Sequence, residues 1–563
     1  MAVWILAAAI RLGVFGLAEN KQGDAPMRVL IAERMNAEPA AARDARSFCQ
    51  FGPLPIEVIR PFLRLDPGDA RRASRWPSLL AGLAVFPWLA ALGRRLRTSH
   101  PPGATHGPRD QAQTAEWLAA LALALAPLHV QASTTASSEA LYLLLSVGAY
   151  ERLAVALGTR RWRDFAVAGG LASLVAVTRF DAWIGLPVAG AACAWRWRWG
   201  PERGGRHGRH GRDARALGEA ALFLGVAAVL PVAYIGWNWR DSGDPFFFAR
   251  YIARDHAELA AAVTARLGGA GARARQLGIW LAAFTAVMSP ALVVGGARAL
   301  AGWRRLGGAA QVVLGSALAP TALYLVKGLA LGDFEPLPRF AIAPGALLLS
   351  SAATRLLADR GTRRAAVEIA LGALATSGVA LLLAFGPALR ETGRRPQNGS
   401  DGRDGTFAAP VASDPPGRIW GGAESVGPLT RLDQEDRALA EFLRAGRRPE
   451  EVVFVDTFGF VDIAIAHAAG VPLGRVATLT TTRTPSETLA ATRARTGATW
   501  FAYHARSWAG RLPPDWPVDV SQIQVDGHWS STRIGGWRIA HAGAMPVAGA
   551  ALGPAPSPAA QAR

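Results

Sequence analysis

The chain has 563 residues, of which 51% are hydrophobic, and its mean hydropathy is positive at +0.17. Its formal net charge of +19 comes almost entirely from arginine, since Lys21 and Lys327 are the only lysines. A soluble protein of this size is rarely so apolar, and the many uncharged segments near 20 residues indicate a membrane protein. The basic residues lie between these segments and not on one soluble face, which argues against nucleic-acid binding.

Eleven apolar segments predict transmembrane helices, because a backbone in lipid must satisfy its own hydrogen bonds. The first segment contains Arg11 and lacks a basic leader, so we interpret it as a retained span and not as a signal peptide. The predicted spans are 2–18, 76–93, 114–130, 137–155, 164–178, 182–197, 216–238, 275–296, 309–331, 340–357 and 366–388.

The connections between the spans alternate in charge. Arginine is concentrated in five of them, namely 94–113, 156–163, 198–215, 297–308 and 358–365. Connection 131–136 has no basic residue, and 332–339 has only Arg339. The positive-inside rule therefore predicts that the N-terminus and the arginine-rich set are cytoplasmic. The long loops 19–75 and 239–274 fit this rule less well, because they hold arginines that are balanced by acids.

The remaining composition predicts four regions. Residues 1–390 form the membrane domain, and its first outer loop, 19–75, carries an interfacial helix over Pro26–Met35 whose charges face water. Residues 391–428 are rich in Gly, Pro, Asp and Ser and read as a linker. Residues 429–540 predict a small extracytoplasmic α/β domain, and 541–563 a disordered tail. Within 429–540, helical spacing covers Leu432–Arg444, and strand patterns cover Val452–Val455 and Thr499–Tyr503.

Three charged residues at the outward-facing ends of spans could carry chemistry. Asp24 follows the first span, where a carboxylate can act as general base toward a hydroxyl or amine, or can be an ordinary solvated acid. Arg179 and Arg339 lie at span ends, and the arginine fork matches the oxygens of a phosphate group. Snorkelling to the interface is the alternative role for both arginines.

Three further acids could bind an acceptor or a sugar. Glu139 and Asp181 lie at outer span ends. Instead of binding a ligand, Glu139 could simply be an acid favoured by the dipole at the start of its helix. Asp181 could simply pair with Arg179. Asp244 opens a loop with aromatic residues at 246–248, which suits either sugar stacking or interfacial anchoring.

Several motifs, taken in order, resemble the GT-C superfamily of polytopic glycosyltransferases. Within that superfamily they are most similar to bacterial relatives of protein O-mannosyltransferases and aminoarabinose transferases, in glycosyltransferase family 39. The similarity covers about residues 1–390. The motifs are Arg11, Asp24, Gly52-Pro53-Leu54-Pro55, Arg75-Trp76-Pro77-Ser78, Pro127-Leu128-His129-Val130 with Ser133 and Ser138-Glu139, Gly243-Asp244-Pro245-Phe246-Phe247-Phe248, and Arg339-Phe340.

The resemblance implies an all-α polytopic enzyme of the bacterial inner membrane. Such enzymes transfer a hexose or pentose from a polyprenyl-phosphate donor to a protein, lipid or glycan acceptor outside the cytoplasm, with inversion. It implies Asp24 as the base and Arg339 and Arg179 as the phosphate ligands. The family commonly has Asp-Glu after its first span, whereas Ala25 follows Asp24 here, so the base assignment rests on Asp24 alone.

No cofactor is indicated by the sequence, and nothing in it demands a divalent metal. The two cysteines, Cys49 and Cys193, cannot form a disulfide framework, and no spacing typical of zinc ligands is present. Two other functions are compatible with a polytopic chain. A transporter or flippase of lipid-linked glycans would show internal repeats, which the sequence lacks. A non-catalytic member of the fold would bind lipid-linked glycan through its C-terminal domain.

Overall fold

The computed structural model describes residues 2–17, 24–37, 39, 41–43, 45–48, 51–66, 69–98, 109–199, 209–391, 434–456, 465–466, 468–472, 475–477, 488–504, 516 and 529–543. These residues fall into two compact units. The helical unit comprises Met1–Ala25 and Gln50–Gly422, and the mixed unit comprises Pro26–Cys49 and Ala423–Arg563. The predicted linker and tail lie outside the described residues, except for Glu391 and 541–543.

Helices dominate the described chain. In chain order they are α1 (Ala2–Leu17), α2 (Ala25–Ala37), α3 (Pro53–Leu65), α4 (Ala70–Ala73), α5 (Trp76–Thr98), α6 (Arg109–Leu125), α7 (Pro127–Thr134), α8 (Glu139–Thr159), α9 (Trp162–Thr178), α10 (Ala182–Trp199), α11 (Arg209–Ser242), α12 (Phe247–Met288), α13 (Pro290–Ala301), α14 (Gly308–Val326), α15 (Ile342–Arg360), α16 (Thr362–Glu391), α17 (Gln434–Gly446) and α18 (Leu489–Thr496). The strands are β1 (Val453–Asp456), β2 (Trp500–His504), β3 (Trp529–Ile534) and β4 (Trp537–Ala542).

Each predicted span coincides with a helical stretch of the helical unit. Among the described residues, five helices are long and apolar enough to cross a membrane, or up to seven if each of two bent pairs is one span. The chain is therefore a multi-pass membrane protein, as predicted, whereas the number of eleven spans stays a prediction. Alanine and leucine dominate the buried core, which lets the helices approach closely.

Two predicted spans are not continuous helices. Span 114–130 is bent by 62° between α6 and α7, and span 275–296 by 104° between α12 and α13. The second helix of each pair begins with a proline, Pro127 or Pro290, whose nitrogen cannot donate the hydrogen bond that would continue the preceding helix. The prediction of one continuous helix was wrong here, because a hydropathy pattern does not register where the backbone bends.

Arg11 stabilises the first of these breaks from within α1. Its side chain is fully buried, and its guanidinium donates to the carbonyl oxygens of Leu123 at 3.2 Å and Ala124 at 3.1 Å. Both carbonyls lie in the last turn of α6, where the regular helical N–H donors end, and Leu123 accepts only a long bond of 3.4 Å from the N–H of Ala126. Arg11 Nη2 also lies 2.6 Å from Nδ1 of His129 on α7, so one cation contacts both halves of the bent pair.

The mixed unit contains a four-stranded sheet in the order β1-β2-β4-β3. Strands β1 and β2 are parallel, with Val453 opposite Trp500, and β4 is antiparallel to both of its neighbours. All four residues of β1 are buried, as expected for a strand covered on both faces. Helix α17 contacts the sheet through Asp436, which accepts a hydrogen bond from Trp537 Nε1 at 3.0 Å. Strands β1 and β2 begin one residue after the predicted strands.

Helix α2 covers the predicted interfacial helix. The expectation that its charges face water does not hold for Arg28, which is only 4% exposed. Val29 and Ile31 are fully buried as well. Arg28 and Ile31 are three residues apart and lie on one side of the helix, whereas Val29 projects about 100° away from Arg28. The position of this helix at the membrane surface stays a prediction.

We expect Arg11→Met to lower the stability of the protein by about 2–4 kcal/mol, because it removes the guanidinium that donates to the carbonyls of Leu123 and Ala124 at the end of α6. Thermal unfolding of the protein in detergent measures this change. Arg364→Met is the control, since its pair with Glu368 is exposed to solvent. Equal unfolding temperatures for the two variants would contradict the role of Arg11.

Candidate active site

Five of the six residues predicted from the sequence lie together in the helical unit, in a row of alternating charges. Arg339 Nη2 lies 2.7 Å from Asp24 Oδ2, and Arg339 Nε lies 3.6 Å from Glu139 Oε1. Arg179 Nη1 lies 2.5 Å from the same Glu139 oxygen, and Arg179 Nη2 lies 2.8 Å from Asp181 Oδ2. With three carboxylates and two guanidiniums, this ionic row has one carboxylate in excess.

The local sequence explains why these side chains meet at one end of the helices. Glu139 begins α8, where the helix dipole favours an acid. Arg179 caps the end of α9 in an extended conformation, and Asp181 precedes α10. Arg339 lies in a 3₁₀ helix, Pro338–Ala341, that leads into α15. Because successive helices run in opposite directions, the start of α8, the end of α9 and the start of α10 lie on the same side.

Arg179 is held firmly in the centre of the row. Its side chain is 11% exposed, and its guanidinium lies 5.6 Å from the ring centre of Tyr142 and 5.1 Å from that of Phe340. Burial alone would lower the pKa of Arg179, but the charges of Asp181 and Glu139 outweigh it and raise the pKa above its ordinary value. The two carboxylates therefore stabilise the charged form of Arg179.

Asp181 uses both of its oxygens within the site. Oδ2 accepts hydrogen bonds from Arg179 Nε at 3.0 Å and Nη2 at 2.8 Å, and Oδ1 accepts from the hydroxyl of Tyr324. The Tyr324 ring stacks on Phe334 with the ring centres 4.3 Å apart, which fixes the hydroxyl. Asp181 thus orients Arg179, and its contact with a sugar or acceptor stays a prediction.

The segment before Arg339 is attached to α12. Gln276 Nε2 donates to the carbonyl of Phe334 at 2.9 Å, and His256 Nδ1 lies 3.1 Å from the carbonyl oxygen of Glu335. The rings of His256 and Phe334 are stacked with their centres 4.5 Å apart. These contacts fix the backbone that presents Arg339 to the row.

His256 adds no positive charge to the site near neutral pH. Burial lowers the pKa of His256 to about 4, against the opposing effect of Asp181, and Arg339 lowers it further. Its Nδ1 contacts a carbonyl oxygen, which can only accept, so the neutral ring carries its proton on Nδ1.

A narrow cavity of about 40 Å³ extends from the row into the bundle, which is space enough for water. Glu139, Arg179, Asp181 and Arg339 line it. Its hydroxyl-bearing lining residues are Tyr142, Ser146, Tyr150, Ser316, Thr321 and Tyr324.

Gly52, in the Gly-Pro-Leu-Pro motif, lies directly against the end of α9. A Cβ at this position would collide with the carbonyl oxygens of Val177 and Thr178, the latter only 2.5 Å away. The glycine therefore allows the motif to pack beside the residue that precedes Arg179, and Pro53 then starts α3.

Asp244 is the one predicted site residue that the structure does not bring to the row. It accepts a hydrogen bond from the backbone N–H of Phe246 at 2.9 Å and pairs with Arg250. No contact among the described residues links it to the other five. The role of Asp244 in binding a sugar or acceptor, and the side of the membrane on which its loop lies, stay predictions.

The sequence did not single out Tyr142, Tyr324 and His256 as site residues. Tyr142 follows Glu139 by three residues in α8, a spacing that could have identified it. Tyr324 is 143 residues from Asp181, and His256 is 79 residues from Glu335, so no local pattern signals these contacts.

Among the described residues, no group of three or more His, Cys, Asp and Glu side chains is arranged to hold a metal ion. The acids of the ionic row instead contact arginine side chains. The absence of a cofactor stays a prediction from the sequence.

No protein-family model and no curated protein sequence matches the chain. Solved structures resemble it in fold. ArnT from Cupriavidus metallidurans in the apo state has a TM-score of 0.54 at 13% identity, over 95% of this chain and 97% of that chain. ArnT bound to undecaprenyl phosphate has a TM-score of 0.52 at 14% identity, over 98% and 99%. The oligosaccharyltransferase of Archaeoglobus fulgidus has a TM-score of 0.48 at 12% identity, over 89% and 68%.

At such low identities, the two ArnT structures establish the fold alone. The chain shares the fold of these two structures over nearly its whole length. The resemblance found in the motifs is therefore confirmed at the level of the fold.

We expect Arg179→Met to destabilise the protein by about 3–5 kcal/mol, because the half-buried Asp181 would lose its cation and the buried Glu139 would keep only its 3.6 Å contact with Arg339. Thermal unfolding in detergent tests this. Arg250→Met is the matched control, since Arg250 is exposed and its partner Asp244 lies outside the row. An Arg179 variant as stable as the Arg250 variant would show that the row does not need its central cation.

Proposed function

We propose that the chain is an integral-membrane glycosyltransferase that moves a sugar from a polyprenyl-phosphate donor to a protein, lipid or glycan acceptor. One observation carries the proposal: a carboxylate and a guanidinium from opposite parts of the chain, Asp24 and Arg339, are in contact at one end of the bundle. The GT-C fold supports it, and so does the ArnT structure with bound undecaprenyl phosphate.

In this proposal each charge of the row has one task. Asp24 removes the proton from the acceptor hydroxyl or amine, and the acceptor attacks the anomeric carbon with inversion. Arg339 binds the phosphate that leaves, since a guanidinium fork matches phosphate oxygens. Arg179 adds a fixed positive charge beside it, and Glu139 and Asp181 keep both arginines in place.

We also propose a location and an orientation. The protein would lie in the cytoplasmic membrane, with the N-terminus inside and with the site residues and the C-terminal domain, 429–540, outside. The arginine-rich connections at 94–113, 156–163, 198–215, 297–308 and 358–365 support this orientation. The row lies at the helix ends remote from those connections, where a lipid-borne phosphate at the membrane surface could reach it.

Asp24→Asn is expected to reduce sugar transfer by about 10²- to 10⁴-fold, because the amide cannot accept the acceptor's proton. The measurement is transfer from polyprenyl-phosphate-linked sugars extracted from the native membrane, with the purified variant. Asp66→Asn, an exposed acid-to-amide change, is the control and should keep full activity. Unchanged transfer by Asp24→Asn would remove Asp24 from the mechanism.

Labelling of single cysteines with an impermeant maleimide tests the orientation, after Cys49 and Cys193 have been replaced. We expect Asp66→Cys and Arg250→Cys to react in intact cells. Arg94→Cys and Arg298→Cys, on the arginine-rich side, should react only after the membrane is opened. All four positions are exposed in the structure. Labelling of Arg94→Cys and Arg250→Cys in the same compartment would contradict the proposed topology.

A further inference from the structure

The contact between Asp24 and Arg339 leaves no space for a sugar between them. In an inverting displacement, the acceptor and the leaving phosphate lie on opposite faces of the anomeric carbon. The base that activates the acceptor and the cation that binds the phosphate must therefore be separated by the sugar. Their charged groups are only 2.7 Å apart in the structure. If both act as proposed above, this ion pair opens during each reaction.

The two arginines of the row differ in how firmly they are held. Arg179 is fixed by three contacts with two carboxylates, at 2.5 to 3.0 Å. Arg339 has one short contact, with Asp24, and a longer one of 3.6 Å to Glu139. Its side chain is also more exposed, at 25% against 11%. Arg339 is therefore the arginine that can exchange one anion for another.

The Nε–H of Arg339 is a second indication that Arg339 can exchange Asp24 for another anion. It is buried, and it has no hydrogen-bond acceptor among the described residues. A buried donor without an acceptor is costly, and Arg339 lines the cavity beside the row. A phosphate has several oxygens and can accept from Nε and Nη2 together, whereas the 2.7 Å contact of Asp24 is with Nη2.

We propose that the donor phosphate and the carboxylate of Asp24 compete for Arg339, so that binding of the donor releases the base. This inference rests on the proposed function and adds an order of binding to it. While Asp24 is paired, Arg339 lies against its Oδ2, so the acceptor hydroxyl or amine cannot approach that oxygen from the side of the guanidinium. The acceptor is therefore activated only after the donor has arrived, which protects the enzyme from deprotonating an acceptor with no sugar to transfer.

The exchange is balanced in charge and in atoms. One phosphodiester anion replaces one carboxylate at Arg339. The acceptor's proton passes to Asp24 as the bond from the acceptor to the anomeric carbon forms. The bond from that carbon to the phosphate oxygen breaks, and its electron pair leaves with the polyprenyl phosphate. Asp24 then gives its proton to water and pairs again with Arg339 when the lipid phosphate departs.

Equilibrium binding of a short-chain polyprenyl phosphate without sugar tests the competition in four proteins. They are the parent, Asp24→Asn, Arg339→Gln and the double variant, each reconstituted in the same lipid nanodisc. We expect Asp24→Asn to bind about two- to fivefold more tightly than the parent, because the competing anion is gone. Arg339→Gln should bind more weakly. In the Arg339→Gln background, Asp24→Asn should change nothing, because there is no guanidinium to compete for.

The double variant separates competition from a general charge effect. If Asp24 repelled the phosphate only through its field, Asp24→Asn would tighten binding equally with and without Arg339, and the proposal would be overturned. Equal or weaker binding by Asp24→Asn would overturn it too, while the proposed function would survive if the parent binds the lipid and transfers sugar. Failure of the parent to bind polyprenyl phosphate would defeat both. Thermal unfolding of each variant confirms that it is folded.

Discussion

The row of alternating charges at one end of the helical unit is the constraint on which the rest of the site depends. A buried guanidinium is costly unless carboxylates compensate it, and a buried carboxylate is costly without a cation. Glu139 meets both requirements, because its Oε1 contacts Arg179 and Arg339 at the same time. The helix ends that carry these residues therefore cannot move apart without leaving a charge unpaired. Four separate segments of the chain are tied together in this way.

A buried charge also needs compensation within the membrane region, where backbone carbonyls provide it. Arg11 is buried and donates to two backbone carbonyls at a break between two helices. Proline at the start of α7 creates the break, and the break exposes the carbonyls that satisfy the arginine. The bend, which would destabilise an isolated transmembrane helix, thus provides carbonyl oxygens that bind the guanidinium of Arg11. Helix α7 leads to Ser138 and Glu139, so this break also lies just before the ionic row.

Arg179, which is tightly held, and Arg339, which is less tightly held, have different consequences for the proposed chemistry. Arg179 is enclosed by two carboxylates and two aromatic rings, which suits a fixed charge that needs no reorganisation when the phosphate leaves. Arg339 is attached through a short 3₁₀ helix and shares its guanidinium with Asp24. A site with one immobile and one exchangeable cation can hold a lipid phosphate strongly enough to react and still release it. The fold it shares with ArnT at 13% identity shows how little of the remaining sequence the architecture requires.

The sequence by itself determined where the helices lie and which ends carry charge, because the length and composition of an apolar segment are local properties. It also supplied Asp24, Glu139, Arg179, Asp181 and Arg339, since a charge beside a span is conspicuous in the sequence. Only the tertiary structure decided which of these charges touch, that Asp244 stays apart, and that Tyr324 completes the row from 143 residues away. It also decided where two spans bend and that Arg28 is buried. These features arise from packing between distant segments, which composition and periodicity along the chain do not record.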